Sequence, residues 1–444
     1  MNTMFELNNT FYLNRIIYPV GQGAFYIEKI MANNHEEKAI CIVYDCGSQN
    51  KTTLYEAIDV FCQLQQDIHI LFISHFDEDH INGIDRLKER CYIHYVIMPY
   101  IAPDEINLIL SFYKYRSKKV WKQLTELLLS PKTFFGEKTV ILHIKPIEII
   151  QNEKDEAINN NQVKHTSMYS PPKDIILPEY PTQSEFIKDN LFESGQRFHI
   201  ERYPFWQYVP FNFFNKKDDF RKQLIKHKIK RKYVSNNKLA NRVFIEKLKQ
   251  IYNNLDGTMN ATSLMLYSSP AITNESFSPS MYINYYQIKY SLFCPSNPDT
   301  ILIKTLSSSC LYTGDISFKQ RLNEKSLAEF IKEKLKKYYF YNNNNSEIKI
   351  GLIQVPHHGS ANSFHLSFFD IDSEAYFLSC GKNNKYKHPS QYVTSKFCIV
   401  VPSDSKLKKS QQNNTISASN SNNKKLYIIT ECTQPHEQKK FFKI

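Results

Sequence analysis

Four side chains able to hold a metal fall within six residues of this chain. They are His75, Asp77, Asp79 and His80, in the segment Leu71–Ile84, LFISHFDEDHINGI. They follow an apolar run, Ile68–Ile73, that reads as a buried strand, and Asn82-Gly83 closes the segment with turn chemistry. In an extended chain residues i and i+2 leave on the same side, so His75 and Asp77 can point at one spot. Asp79 and His80 come after the chain has turned and can aim at a second, adjacent spot. This pattern suits two cations roughly 3.5–4 Å apart, which activate water and neutralise charge on the group attacked.

Such a site must be carried by strand ends, and the chain supplies several. Val20-Gly21-Gln22-Gly23-Ala24 opens a strand expected over Ala24–Ile30. Ala39–Tyr44 reads as its neighbour, with Asn33-Asn34 as turn residues between them. A helix over Thr53–Gln65 then leads into the ligand strand, a β-β-α-β order. The α/β pattern continues with helix Asp85–Arg90, strand Tyr92–Pro99, helices within 103–130 and strand Thr139–Ile144. Four further tips carry chemistry. Asp45 ends a strand in Tyr44-Asp45-Cys46-Gly47-Ser48, and Asp315 does so in Ser309-Cys310-Leu311-Tyr312-Thr313-Gly314-Asp315. A strand over Ile348–Val355 ends in Pro356-His357-His358-Gly359-Ser360, where adjacent histidines released by Gly-Ser are poor core residues. Strand Ala375–Ser379 leads to Cys380-Gly381-Lys382-Asn383 and Tyr386-Lys387-His388-Pro389. A helix is expected over Glu324–Tyr338, and closing strands over Phe397–Val401, Lys425–Thr430 and Lys440–Lys443.

H-x-D-x-D-H after a strand resembles the ligand loop of the metallo-β-lactamase fold, whose usual form is H-x-H-x-D-H. An Asp in place of the second His resembles one branch, the hydrolase domain of the DNA-uptake protein ComEC and its soluble relatives. VGQGA, T-G-D, H-H-G-S and the S-x-G-x-x-N plus H-P pattern resemble the same branch. The resemblance covers residues 15–100 and 258–400 well and the stretch between them hardly at all. It implies a four-layer αββα sandwich: an N-terminal half over 1–145, an aromatic and then basic helical insertion over 146–259, and a C-terminal half over 260–444.

The resemblance also implies roles. His75, Asp77 and Asp315 would hold a first cation, with Asn260 a weak contributor where many members carry His. Asp79, His80 and His388 would hold a second, with Asp315 shared. Asp45 would support the loop. Asp79 would orient or deprotonate water, yielding a hydroxide nucleophile on the metal. His357 or His358 would face the centre as a catalytic group in contact with substrate or metal, and the sequence does not choose between them. Ser360, Asn383 and Asn260 would contact substrate. The expected cofactor is one or two zinc ions, with manganese or magnesium as alternatives, since Asp77 and Asn260 make the first site oxygen-rich.

Charge bears on the substrate. The chain has 444 residues and a formal net charge of +12, with a pI near 9.0, which favours an acidic partner, nucleic acid first. Lys216–Lys249 carries 13 Lys or Arg against 3 acids. Lys228, Lys230 and Arg231 at its centre are candidate phosphate contacts, and a solvated helix face is the competing reading. Ahead of it, Pro146–Pro181 reads as loop. Arg202–Phe214, RYPFWQYVPFNFF, is expected to pack against the core, with base stacking as the alternative. The leading expectation is therefore a phosphodiesterase or nuclease on DNA or RNA. Soluble relatives of this branch resemble components of bacterial defence systems, so a protein partner is expected. Two alternatives stay open: a hydrolase of a small ester, lactone or nucleotide, and a non-catalytic subunit stabilised by metal.

The nine cysteines include no C-x-x-C pair and sit mostly in apolar runs, so reduced thiols are expected and a cysteine zinc site is not. Mean hydropathy is −0.46 and no apolar run nears 18 residues, which argues against membrane spans. The opening MNTMFELNNTFYLN lacks the form of a signal peptide. Together these features predict a cytoplasmic protein.

Overall fold

Hydrophobic alternation builds two sheets whose inner faces meet. The computed structural model describes residues 11–32, 39–147, 174–181, 190–213, 263–271, 287–292, 302–303, 307–322, 325–336, 338, 349–381, 384–400 and 424–429. Strands β1 (Phe11–Ile17), β2 (Gly23–Ala32) and β3 (Ile40–Ser48) form an antiparallel meander. Helix α1 (Lys51–Leu64) is capped by Asn50, whose side chain accepts from the Thr53 N–H at 3.3 Å. It returns the chain to β4 (Asp67–Phe72), which pairs parallel with β3.

Helices α2 (Glu78–Ile81) and α3 (Ile84–Arg90) lead to β5 (Tyr92–Pro99). Helices α4 (Pro103–Arg116), α5 (Lys118–Leu129) and α6 (Pro131–Phe135) lead to β6 (Val140–Ile144). There follow β7 (Ile175–Leu177), β8 (Leu191–Phe192), β9 (Phe198–Ile200), β10 (Tyr203–Asn212), β11 (Leu264–Pro270), β12 (Gln287–Leu292), β13 (Leu302–Ile303) and β14 (Cys310–Tyr312). A short ribbon of β15 (Arg321–Leu322) and β16 (Lys325–Ser326) precedes helix α7 (Leu327–Leu335). The C-terminal part adds β17 (Lys349–Gln354), β18 (Asp372–Ser379), helix α8 (Gln391–Thr394), β19 (Cys398–Val400) and β20 (Lys425–Ile429).

The first sheet runs β13-β12-β1-β2-β3-β4-β5-β6-β8 and the second β19-β20-β18-β17-β14-β11-β10-β9-β7. Side chains alternate between faces along each strand. Tyr26, Tyr44 and Phe72 of the first sheet meet Trp206, Tyr208, Leu266, Tyr312 and Phe377 of the second in one buried cluster. The opposite face of the first sheet, with Phe25, Ile27 and Val43, is covered by Leu54, Phe61, Leu87 and Leu124 from its helices. The opposite face of the second, with Tyr267, Leu311 and Ile353, is covered by Leu327, Ile331 and Leu335 of α7. This is the expected four-layer α/β/β/α sandwich. Among the described residues no helix is long and apolar enough to cross a membrane.

Two expectations change. The stretch 146–259 was expected as an insertion, yet β8 joins the first sheet, and β7, β9 and β10 join the second. The aromatic segment is β10, with Trp206 and Tyr208 facing the other sheet and Val209 and Phe211 facing α7. Pro204 and Pro210, together with a register shift between Tyr203 and Tyr208, hide its period-2 pattern. The basic centre Lys226–Lys232 lies outside the described residues. The expected helix Glu324–Tyr338 is shorter at both ends. Ser326 closes a capping box with Glu329 at one end, and Leu335 is the last helical residue at the other.

Between the sheets lies a buried ion pair. Arg15 is bonded to Glu28, and Tyr312 and Ser268 donate to the two Glu28 oxygens at 2.8 and 2.7 Å. Arg15 also donates to the Ser308 carbonyl at 2.6 Å. Glu28→Ala would leave a buried guanidinium without its counter-charge. It is expected to destabilise the fold by about 3–5 kcal/mol, read as the shift in urea midpoint at constant m-value; a shift near zero would mean that the pair is expendable.

Candidate metal centre

The functional side chains sit beyond the carboxyl ends of parallel strands, where α/β sheets bind ligands. From the first sheet come Asp45, inside β3 near its carboxyl end, and Ser74 to His80, after β4. From the second come Asp315 after β14, His357 and His358 after β17, and the Ser379 carbonyl at the end of β18. Short turns aim them. Gln354 Oε1 accepts the Thr313 and Gly314 N–H groups at 2.9 and 3.1 Å, and Ser263 Oγ accepts the Asp315 N–H at 3.1 Å. Asp45, His357 and His358 have φ of 58°, 49° and 52°. This is left-handed backbone that such residues adopt only when their surroundings over-determine it.

Hydrogen bonds fix the three buried histidine rings. Ser74 spends its hydroxyl proton on Asp45 Oδ2, at 2.5 Å, so toward His75 Nδ1, 2.8 Å away, it can only accept. His80 Nδ1 donates to Asp45 Oδ2 at 2.8 Å. His358 Nδ1 donates to the Ser379 carbonyl at 2.8 Å. Each ring therefore carries its proton on Nδ1 and presents Nε2 inward. These Nε2 atoms are buried and make no hydrogen bond. Instead they surround carboxylates. His75 Nε2 is 3.7 Å from Asp315 Oδ2, and His80 Nε2 is 3.3 Å from Asp315 Oδ1. His358 Nε2 is 3.8 Å from both Asp315 Oδ1 and Asp79 Oδ2.

Two sets of ligand atoms lie within 4.8 Å of one another: His75, His80 and Asp315, and Asp79, His80 and His358. Buried ring nitrogens with no hydrogen-bond partner, next to carboxylates, are what a divalent cation requires. The donor set fits one.

This differs from the implied grouping in three places. His358 stands with Asp79 and His80 where His388 was expected. His388 lies beside it, with Nδ1 3.4 Å from Gln22 Nε2 and its ring 5.6 Å from that of His357. His80, rather than Asp315, is common to both sets. Asp77 belongs to neither: its Oδ1 accepts from the Tyr113 hydroxyl at 2.9 Å. Asp77 stands at the N-cap position of α2, with no cap bond from its side chain. Both adjacent histidines reach the centre, His357 from the solvent side with Nε2 3.5 Å from Asp315 Oδ2. Ser360 is buried and accepts the Asn362 N–H at 3.3 Å, which helps to shape the turn. Asn260, Asn383, Lys228, Lys230 and Arg231 lie outside the described residues. Asn384 ties the His388 loop, donating to the Gly381 and His388 carbonyls at 2.7 and 2.5 Å. Sequence reasoning missed Ser74, a hydroxyl next to His75 that no spacing rule singles out, and Ser379 and Tyr113, which act through a backbone oxygen and from a distant helix.

Electrostatics follow from this packing. Burial pushes His80 down, but the carboxylates of Asp315 and Asp45 outweigh it and hold its pKa well above the ordinary value. Burial pushes Asp315 up, but His357, His80 and His358 outweigh it and hold it well below. Burial and the His80 cation lower His75 to about 4. Burial, with Asp79 and Asp315, raises Asp77 to about 6. His80 thus stabilises the metal-free fold most below about pH 6.5, and that contribution is lost as pH rises through its raised value. Binding a cation through Nε2 must expel the proton. Metal affinity is therefore expected to rise with pH through this range. Titration calorimetry in buffers of differing ionisation enthalpy should show protons released near neutrality; pH-independent affinity would contradict the arrangement.

The ligand loop also depends on a close backbone approach. A Cβ on Gly47 would lie 2.5 Å from backbone atoms of Asp79 and His80, so only glycine lets β3 pass beneath α2. Gly47→Ala is expected to cost about 1–3 kcal/mol and to reduce metal content. Unchanged melting and metal content would show that the loop can move aside freely.

Residues 36–167 match the model of the metallo-beta-lactamase superfamily. That stretch includes Asp45 and the whole His75–His80 loop. The superfamily consists mostly of metal-dependent hydrolases that bind one or two divalent ions. No curated protein matches the chain.

Proposed function

We propose that this protein is a metal-dependent phosphodiesterase, a nuclease acting on DNA or RNA. The observation that carries the hydrolase part is the convergence of three Nε2 atoms, each fixed by its own Nδ1 hydrogen bond, on Asp315 and Asp79. The polymer part is supported by the +12 net charge and the basic run Lys216–Lys249, and by the likeness of H-x-D-x-D-H to the ComEC branch.

A cation would be held by His75, His80 and Asp315, or by His80 with Asp79 and His358, since His80 has one lone pair to give; zinc or manganese suits the mixed nitrogen and oxygen set. The cation would supply Lewis-acid polarisation and acidify water. The protein's own groups do the rest. Asp45 and Ser74 hold His80 and His75 in the ligating tautomer, and the Ser379 carbonyl does so for His358. Asp79 is 17% exposed and accepts weakly from Gln49 Nε2 at 3.4 Å. Its Oδ2 takes the proton of the attacking water. His357 is 24% exposed, with Nδ1 2.8 Å from Ser363 Oγ. It faces the incoming phosphate and offers a donor to the oxygen on which charge develops.

Purified protein should cleave labelled DNA or RNA, single- or double-stranded, with zinc, manganese or magnesium, and Asp79→Ala beside it should not. Equal cleavage by both proteins would sink the reading. Hydrolysis of small esters with no polymer cleavage would move the function to a small substrate.

A further inference from the structure

Beside the metal centre the chain from 384 to 400 holds three lysines, Lys385, Lys387 and Lys396, and no acid. Lys385, Tyr386 and Lys387 are consecutive and exposed, with Tyr386 at 43%. The Tyr386 ring stacks on His388, centroids 5.7 Å apart and planes at 27°. His388 meets His357 edge-on at 5.6 Å, and His357 Nε2 lies 3.5 Å from Asp315 Oδ2. A continuous ladder of rings thus runs from solvent to the centre. Lys385 Nζ lies over the Tyr386 ring, 4.9 Å from its centroid, on a flexible exposed side chain that an incoming base would displace toward its phosphate. Lys387 has φ of 56°, a conformation that glycine reaches without strain, so the loop tolerates backbone cost to carry a cation there. Across His388-Pro389, Tyr392 is 46% exposed, with Lys396 Nζ 5.1 Å from its ring.

The geometry points to a nucleotide subsite on this loop: the Tyr386 face stacks an unpaired base of a single-stranded nucleic acid, and Lys385 and Lys387 contact its flanking phosphates. This rests on the phosphodiesterase reading and extends it. A small ester needs neither an exposed aromatic platform nor paired cations at the rim. A polymer needs both, because every base offers a π-face and every linkage a charge. A duplex keeps its faces stacked internally and gains little from Tyr386, so the subsite selects single strands. Tyr386 positions substrate and touches no reacting atom.

The test uses the full chain with Tyr386→Ala, Tyr386→Phe and the double variant Lys385→Ala/Lys387→Gly. Binding of a fluorescein-labelled single-stranded oligonucleotide is read by anisotropy in EDTA. Tyr386→Ala should weaken it about tenfold and Tyr386→Phe should restore it. The same strand annealed to its complement should lose far less. The lysine variant should flatten the salt dependence by about 0.7 per lost phosphate contact. With metal, the Tyr386→Ala loss in kcat/KM on the oligonucleotide should exceed its loss on bis(p-nitrophenyl) phosphate about tenfold and appear in KM. Equal losses on both substrates would reduce Tyr386 to a prop for His388 and overturn the proposal. Unchanged single-strand binding, or no binding by the wild type, would also overturn it. Wild-type protein that binds the strand but hydrolyses neither substrate with any metal would instead defeat the phosphodiesterase reading.

Discussion

His80→Ala is expected to lower hydrolytic turnover by at least about a thousandfold, equivalent to about 4 kcal/mol of transition-state stabilisation, and to strip the protein of bound metal. His80 is the one residue common to both ligand sets, so its loss disables each of them. It is also the partner of Asp45, at 2.8 Å with both side chains fully buried. The variant therefore leaves a buried carboxylate without its counter-charge, a further cost of about 3–5 kcal/mol. Thermal melting beside metal analysis separates the two effects. Should the fold give way, His80→Asn, which keeps a donor toward Asp45 but no nitrogen lone pair for a cation, isolates the loss of ligation. Metal content and turnover equal to the wild type in a folded variant would remove the centre from the protein's chemistry.

Asp45→Asn should leave every ligand in place and still weaken metal binding by about ten- to a hundredfold. Asp45 Oδ1 accepts the Ser74 N–H at 2.6 Å, while Oδ2 accepts from the Ser74 hydroxyl at 2.5 Å and from His80 Nδ1 at 2.8 Å. An amide offers one oxygen to these three donors and turns two hydrogens on the rest. If the oxygen stays with the Ser74 N–H, the amide hydrogens face His80 Nδ1. The ring must then carry its proton on Nε2, which closes the lone pair that a cation needs. The same substitution removes one of the two carboxylates that raise the His80 pKa, so proton release on metal binding should shift to lower pH. Competition with a chelator measures the affinity. A value within twofold of wild type would mean that Asp45 serves folding alone.

The sequence by itself determined the order of elements on either side of 146–259 and the residue types at the strand tips. H-x-D-x-D-H after an apolar run, T-G-D after another and H-H-G-S after a third are local patterns, and local sterics place each at the tip of its strand. Strands β4, β14 and β17 follow from period-2 or continuous apolar runs that need no partner to be recognised. Tertiary structure alone decided which tips meet. His358 rather than His388 joins Asp79 and His80 because consecutive left-handed residues at 357 and 358 turn both rings toward β14, while the Ser379 carbonyl, from the neighbouring strand, fixes the tautomer. Asp77 falls outside both groups of ligand atoms, and Tyr113, thirty-six residues away on a helix, bonds its carboxyl. The aromatic run at 203–212 becomes a core strand because β11, far along the chain, lies beside it in register. Side-chain type and strand-tip position are local properties, whereas the distance between two tips is set by the packing of two sheets.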